Sequence, residues 1–424
     1  MKSEATTLAT RGPARAATRP RLPFLARQVV ARLEQIDVGT LALEVGGHSL
    51  SFGRALPDAP NAALAVRDER FWSAIATRGS VGAGEAYADG WWTSDDPAAV
   101  VRLFVRNQDA LEGLEGGLAR LSMPLLKAYH GLRRNTESGS RSNIAAHYDL
   151  SNDFFRLFLD DTMTYSCGIF ERDEASLREA SLAKIDRLCH KLRLTPDDHL
   201  LEIGTGWGAF AIHAAREYGC RVTTTTISAE QHALARERIH EAGLEGRITL
   251  LSSDYRRLEG TFDKLVSVEM IEAVGARYFD AFFERCGALL RPDGLMALQA
   301  ITIADQYYEA ALRSVDFIQR YIFPGCCIPS VTALCGSIAR ASDLKPVHME
   351  DIGPHYERTL RSWRENLRAR WDEARALGHD ETFLRLWEFY FAYCEGGYAE
   401  RRLGDVQMLL AKPDARQEPI LPGL

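Results

Sequence analysis

Between His147 and Phe170 the chain reads "HYDLSNDFFRLFLDDTMTYSCGIF", which sets Tyr148, Tyr165, Ser166 and a single thiol, Cys167, among aromatic residues. Tyrosine faces and hydroxyls suit a cationic ligand. A thiol acts as a nucleophile only with a base beside it, and nothing local to Cys167 supplies one. Further on, "LEIGTGWGAF" (Leu201 to Phe210) carries glycines at 204, 206 and 208. Such glycines let the backbone turn sharply and let a cofactor approach where a side chain would clash. Gly204, Gly206 and Ala209 also fit a dinucleotide fingerprint. A nicotinamide site wants an acid about 20 residues on, where "RVTTTTIS" offers hydroxyls, Thr226 among them. A methyltransferase wants an acid there too, so Gln231, just inside the next helical pattern, is the candidate substitute. Asp254 and Tyr255, after the third strand, are placed to accept from an adenine amine and to flank its ring.

The elements that must position these residues are visible as pattern. "ASLREASLAKIDRLCHKL" has helical periodicity, and after it come strand "HLLEIG", a helix through "GAFAIHAAREYG", strand "RVTTTTI" and helix "AEQHALARERIHEAG". Strands "ITLLSS" and "KLVSVEM", helix "YFDAFFERCGALL" and strand "LMALQAI" complete the run. Short apolar strands alternating with amphipathic helices predict an α/β, doubly wound parallel sheet of Rossmann-like type. Residues 34–132 mix alternating segments such as "TLALEV" with helical ones such as "DPAAVVRLFVRNQDAL", the pattern of a smaller α+β domain. The polar stretch at 133–143 reads as a linker, with the main domain at 144–424.

The chain has 424 residues, of which 46% are hydrophobic, enough for a large core and for two domains. A net charge of −7 argues against general nucleic-acid binding. Residues 1–33 run the other way, with Lys2, Arg11, Arg15, Arg19, Arg21, Arg27 and Arg32 against Glu4. They read as a flexible basic tail, with attraction to anionic lipid headgroups as the functional alternative. Eight cysteines without a C-x-x-C pair suggest neither a disulfide framework nor a zinc site, and a reducing cytosol fits. No apolar run approaches the roughly 20 residues of a membrane span, and the first residues lack a secretory apolar core. Any membrane contact is therefore expected to be peripheral.

The motifs "HYDLSNDFF", "MTYSCGIF", "LEIGTGWG", "TISAEQ", "EMIEAVG", "YIFPGCCIPS" and "HYERTLRSW" occur in one order, and with "GEAYADGWW" in the amino-terminal part they span most of the chain. In this set the chain resembles the cyclopropane-fatty-acyl-phospholipid synthase family, mycolic-acid cyclopropane synthases included. The resemblance implies transfer of a methylene from S-adenosylmethionine to a cis double bond of a phospholipid acyl chain, at the inner face of the membrane, by a homodimer with bound bicarbonate as base. By the same resemblance Tyr148, Tyr165 and Ser166 match positions around the sulfonium. The backbone N–H groups at Cys167 and Ile301, the carboxylate of Glu272 and the hydroxyl of Tyr356 match the bicarbonate site. Glu269 shares a face with Glu272 if the segment is helical, but the motif favours Glu272.

Two positions depart from the family pattern. Gln299 stands where histidine is usual, and an amide can donate and accept but cannot carry a proton near neutral pH. Ala273 also replaces a histidine. If the residue at 299 only orients the anion, glutamine suffices; if it relays the proton, either the ring closes slowly or the cation loses another proton and gives an open-chain methyl-branched or methylene lipid. The apolar tunnel is expected from "YFDAFFERCGALL", "SVDFIQRYIFPGCCIP" and "FLRLWEFYFAYCEGGY". The alternative of another class is a non-catalytic lipid-binding protein on the same fold.

Overall fold

A computed structural model describes residues 22–108 and 150–416. The first helix, Phe24–Leu33, buries Ala26, Val29 and Leu33, so the basic stretch at 1–33 ends in a packed helix. Strands β1 (Gly39–Val45), β2 (His48–Arg54), β3 (Asn61–Val66) and β4 (Trp92–Thr93) form a sheet in the order β2-β1-β3-β4. Two helices cover it. Arg70–Ala88 kinks at Gly79, and Pro97–Arg106 starts where Asp96 accepts from the N–H groups of Ala98 and Ala99. That start combines a side-chain cap with proline at the first helical position, where no N–H is missed.

The large sheet holds β5 (His199–Ile203), β6 (Arg221–Thr225), β7 (Ile248–Leu251), β8 (Phe262–Val268), β9 (Leu290–Ile303), β10 (Lys345–Asp351) and β11 (Leu403–Ala411). Their order is β10-β11-β9-β8-β5-β6-β7. From β9 to β7 every pairing is parallel, as the alternating pattern required. At the other edge of this doubly wound sheet β11 runs antiparallel to both β9 and β10. This returning strand matters for the site, since it brings Asp405 and Gln407 beside β9.

The helix Leu177–Leu192 opens on a capping box, Ser176 with Glu179, and closes at Arg193 in the left-handed region (φ 52°). The aromatic helix Glu381–Ala399 joins the two parts of the molecule. Tyr87 and Trp92 of the smaller sheet's layer lie 5.5 and 6.0 Å, ring to ring, from Phe389, and the Tyr87 hydroxyl donates to Glu388 Oε2 at 2.6 Å. At Gly84 a Cβ would fall 2.3 Å from the ring of Phe317, so only glycine admits this approach. One continuous apolar core therefore runs through both parts. The expected linker at 133–143 lies outside the described residues.

Candidate active site

The cradle forms where β5 ends. After Ile203 the backbone turns through Gly204 (φ 106°), Gly206 (φ 54°) and Gly208 (φ 89°) into the helix Ala209–Glu217. The N–H groups of Gly204 and Thr205 both donate to the Thr225 carbonyl at 3.1 Å, tying the turn to β6. A Cβ on Gly206 would meet no atom within 4 Å, because the turn faces a cavity of about 270 Å³. Gly204, Gly206, Thr226, Gln231, Asp254 and Tyr255 all line that cavity, while Gly208 lies behind the turn. Thr226 donates its hydroxyl to Gln231 Oε1 at 2.9 Å, which leaves the Gln231 amide as the group offered for donation. Asp254 is gripped by Arg256 at 2.8 and 2.7 Å, and the buried Tyr255 hydroxyl has no partner among the described residues.

Across the cavity, the Tyr165 ring lies 5.4 Å from Phe155 and 5.1 Å from Trp363, with its hydroxyl 3.0 Å from that of Tyr390. Ser166 accepts from the Nζ of Lys184, a buried residue, at 2.7 Å. Tyr148 lies outside the described residues.

The second part of the site is a group of carboxyls. Glu269 follows β8 directly with φ 47°, a left-handed conformation costly for a side chain of this kind. Its Oε1 accepts from the Cys167 N–H and from Gln299 Nε2, both at 2.8 Å, and its Oε2 accepts from the Tyr356 hydroxyl at 2.6 Å. Glu272 accepts the Ile301 N–H on Oε1 at 2.6 Å, and its Oε2 has no partner among the described residues. Burial first, and the charge of Glu269 second, push the Glu272 carboxyl up to about 8. Burial also drives the Cys167 thiol well above its ordinary range, helped by Asp405 and Glu269, and its Sγ lies 3.3 Å from the Gly168 carbonyl. The site thus holds Cys167 as an unionised neighbour, its backbone doing the binding.

The orientation of Gln299 follows from a chain of donors. Lys191 Nζ can only donate and lies 2.7 Å from Gln407 Oε1, so Gln407 donates from Nε2 to Gln299 Oε1 at 3.0 Å. Gln299 must then point Nε2 at Glu269 and at Asp405 Oδ2, 3.0 Å away. Asp405 is fully buried, and burial followed by the Glu269 charge raises its carboxyl well above the ordinary range.

Residues 135–408 match the family model described as mycolic acid cyclopropane synthetase. This chain belongs to that family. It is 38% identical over 85% of both chains to the tuberculostearic acid methyltransferase UfaA1 of Mycobacterium tuberculosis. It is 36% identical to the cyclopropane-fatty-acyl-phospholipid synthase of Escherichia coli, over 84% of this chain and 88% of that one. The crystal structure of mycolic acid cyclopropane synthase CmaA1 complexed with SAH and CTAB superposes with a TM-score of 0.59 at 33% identity, covering 64% of this chain and 98% of that chain. The protein is accordingly an enzyme, an S-adenosylmethionine-dependent methyltransferase of the cyclopropane synthase family.

Within this family member the residues fit the two implied ligands unequally. The open glycine turn, the Gln231 amide and the unpartnered Tyr255 hydroxyl fit an adenosyl group. Bicarbonate does not fit: the donors from Cys167, Gln299 and Tyr356 that it would need all converge on the Glu269 carboxylate. Three further residues escaped the sequence reading. Lys184 sits on the apolar face of its helix beside Ile185, Asp405 interrupts an apolar run, and Glu202 stands inside strand β5. A charge within an apolar pattern was the available signal in each case. Burial raises Glu202 to about 8, and Thr224 donates to it at 2.5 Å. Of the expected tunnel walls, Phe323, Pro324, Cys326 and Tyr390 line the cavity. The helix Phe279–Leu289 does not, because Phe282 and Phe283 are buried in the core against the sheet.

Proposed function

We propose that this enzyme transfers one carbon from S-adenosylmethionine to the cis double bond of an unsaturated acyl chain carried by a membrane phospholipid. The observation that carries the reading is the sharing of one cavity by the glycine cradle, the aromatic wall of Tyr165, Phe323 and Tyr390, and the Glu269 carboxylate. When bound, the cofactor supplies an electrophilic methyl group. Gly204 and Gly206 would give it room, the Gln231 amide would donate to its ribose, Asp254 and Tyr255 would hold its adenine, and the Tyr165 face would receive positive charge. The apolar wall excludes water from the cation that an attacked olefin must become on the acyl chain. The names of the two curated relatives, one a tuberculostearic acid methyltransferase and one a cyclopropane synthase, fit this shared first step.

Two products branch from the cation, and one observation favours the open-chain methylene-branched lipid over the cyclopropane. Gln299 cannot relay a proton, which gives a hydride shift time to precede proton loss. Contact with the inner face of the membrane is peripheral in this reading, supported by exposed Phe24 with Arg27 and Arg32 on the first helix. No helix among the described residues is long and apolar enough to cross a membrane. A homodimer in the cytoplasm completes the proposal. Mass spectrometry of vesicles holding a cis-monounsaturated phospholipid, after incubation with protein and cofactor, tests it. An added CH₂ on the acyl chain is expected, with fragmentation separating ring from branch; unchanged lipid on every cis-unsaturated headgroup class would overturn the reading.

A further inference from the structure

We propose that the Glu269 carboxylate is the built-in anion and general base of this site, occupying the place that a free bicarbonate would need. The inference rests on the transfer reading above for its chemistry, and on geometry alone for its occupancy. Cys167 N–H, Gln299 Nε2 and Tyr356 Oη approach from three separate elements and end on the two oxygens of one side chain at 2.6 to 2.8 Å. Glu269 lines the cavity, whereas Cys167 and Gln299 are fully buried behind it. A second anion would have to displace the carboxylate or share its donors against like-charge repulsion. The left-handed backbone at Glu269 (φ 47°) aims the side chain inward, the kind of strain that surrounding structure sustains at working positions. Glu272 is placed differently, since its Oε1 accepts from the Ile301 N–H and none of the three donors on Glu269 reaches it.

The step balances without a co-reactant. A C–H bond of the transferred carbon breaks, and the proton passes to a Glu269 oxygen. The electron pair forms either the closing bond of a ring or, after a 1,2-hydride shift, a C=C bond, and the cation is quenched. The resulting carboxylic acid returns its proton to water through the cavity. A proton beside a carbocation is far more acidic than any carboxylic acid, so a carboxylate with three donors is base enough.

The test uses the full-length protein in CO₂-free buffer, with vesicles of cis-monounsaturated phospholipid, and runs a binding measurement with carbon-13-labelled bicarbonate in parallel. Wild-type turnover is expected to be the same with and without bicarbonate, and the labelled ion should show no binding. Glu269→Gln should lose about 100-fold or more in turnover, the scale of a missing general base, while its cofactor affinity by calorimetry stays within about twofold of wild type. Glu269→Gly suits the positive φ and opens the donor-lined space, so it should bind the labelled ion and recover activity when bicarbonate is added. Wild-type binding of bicarbonate, a wild-type rate that depends on it, or a Glu269→Gln variant at the wild-type rate would each overturn the inference. A wild type that makes no lipid product removes the transfer reading instead, and the binding measurement still decides what fills the anion position.

Discussion

The glycine cradle and the carboxyl group face each other across one cavity, and they are assembled in different ways. In the cradle, partners are near neighbours in sequence: Thr226 with Gln231, Asp254 with Arg256, and a turn whose shape is set by backbone angles at three glycines. Around Glu269, each partner comes from a different element: Cys167 from a loop, Gln299 from β9, Asp405 from β11 and Tyr356 from the helix Gly353–Ala369. A backbone cradle needs only space and positive φ, so it serves any reaction of its cofactor. The proton-removing step proposed for this enzyme draws on the assembled side, where three donors meet one side chain.

Substitutions on the two sides should therefore fail differently. The largest effect is expected at Glu269, where the glutamine variant should keep its cofactor and lose turnover. Gly206→Val should do the reverse. It strains a backbone held at φ 54° by ~1–2 kcal/mol and fills open cofactor space, so calorimetry should show affinity weakened about 100-fold, equivalent to ~3 kcal/mol. Normal affinity there would remove the cradle from the site.

Glu272→Gln sharpens the contrast between the two glutamates. Its amide oxygen can still accept from Ile301, so turnover should fall by less than about tenfold. The pH response is more telling. An unfolded Glu272 releases its proton near 4.5 and the folded one near 8, so between those values the native state holds the extra proton and stability declines as pH rises, levelling off above the folded value. Urea midpoints compared across that window should show a shallower decline in Glu272→Gln, with Glu202, also raised to about 8, and the raised Asp405 contributing to what remains. An unchanged slope would mean that Glu272 is already ionised in the fold. The smallest effect belongs to Gln299→His. An imidazole can serve Glu269 but cannot also meet Asp405 and Gln407 as the amide does. Turnover should change only a few-fold, with the product mixture shifting toward the ring; an unaltered mixture would show that position 299 does not set the partition.

The same contrast explains what the sequence made legible. The turn at Gly204 to Gly208, the parallel strands and the lining residues Thr226, Gln231 and Tyr255 follow from local pattern, since periodicity and glycine spacing act within one βα unit. The smaller sheet was visible in outline, but its shared core with the helix Glu381–Ala399 was not, because aromatic spacing cannot say which partner a buried ring meets. Strand β11 was missed, and with it Asp405, since an antiparallel return depends on pairing with β9 far away in sequence. Glu269 was seen and set aside in favour of Glu272. The choice turns on a positive φ just after β8 and on three donors from distant elements, none of which a linear motif encodes.

The most direct measurement follows the transferred carbon itself. With a cofactor carrying a fully deuterated methyl group and buffer free of CO₂, the lipid product should retain two of the three deuterium atoms, because the base in the cavity removes the third, whether a ring or a methylene branch results. A product that keeps all three would place proton loss elsewhere on the acyl chain and contradict the role assigned to Glu269.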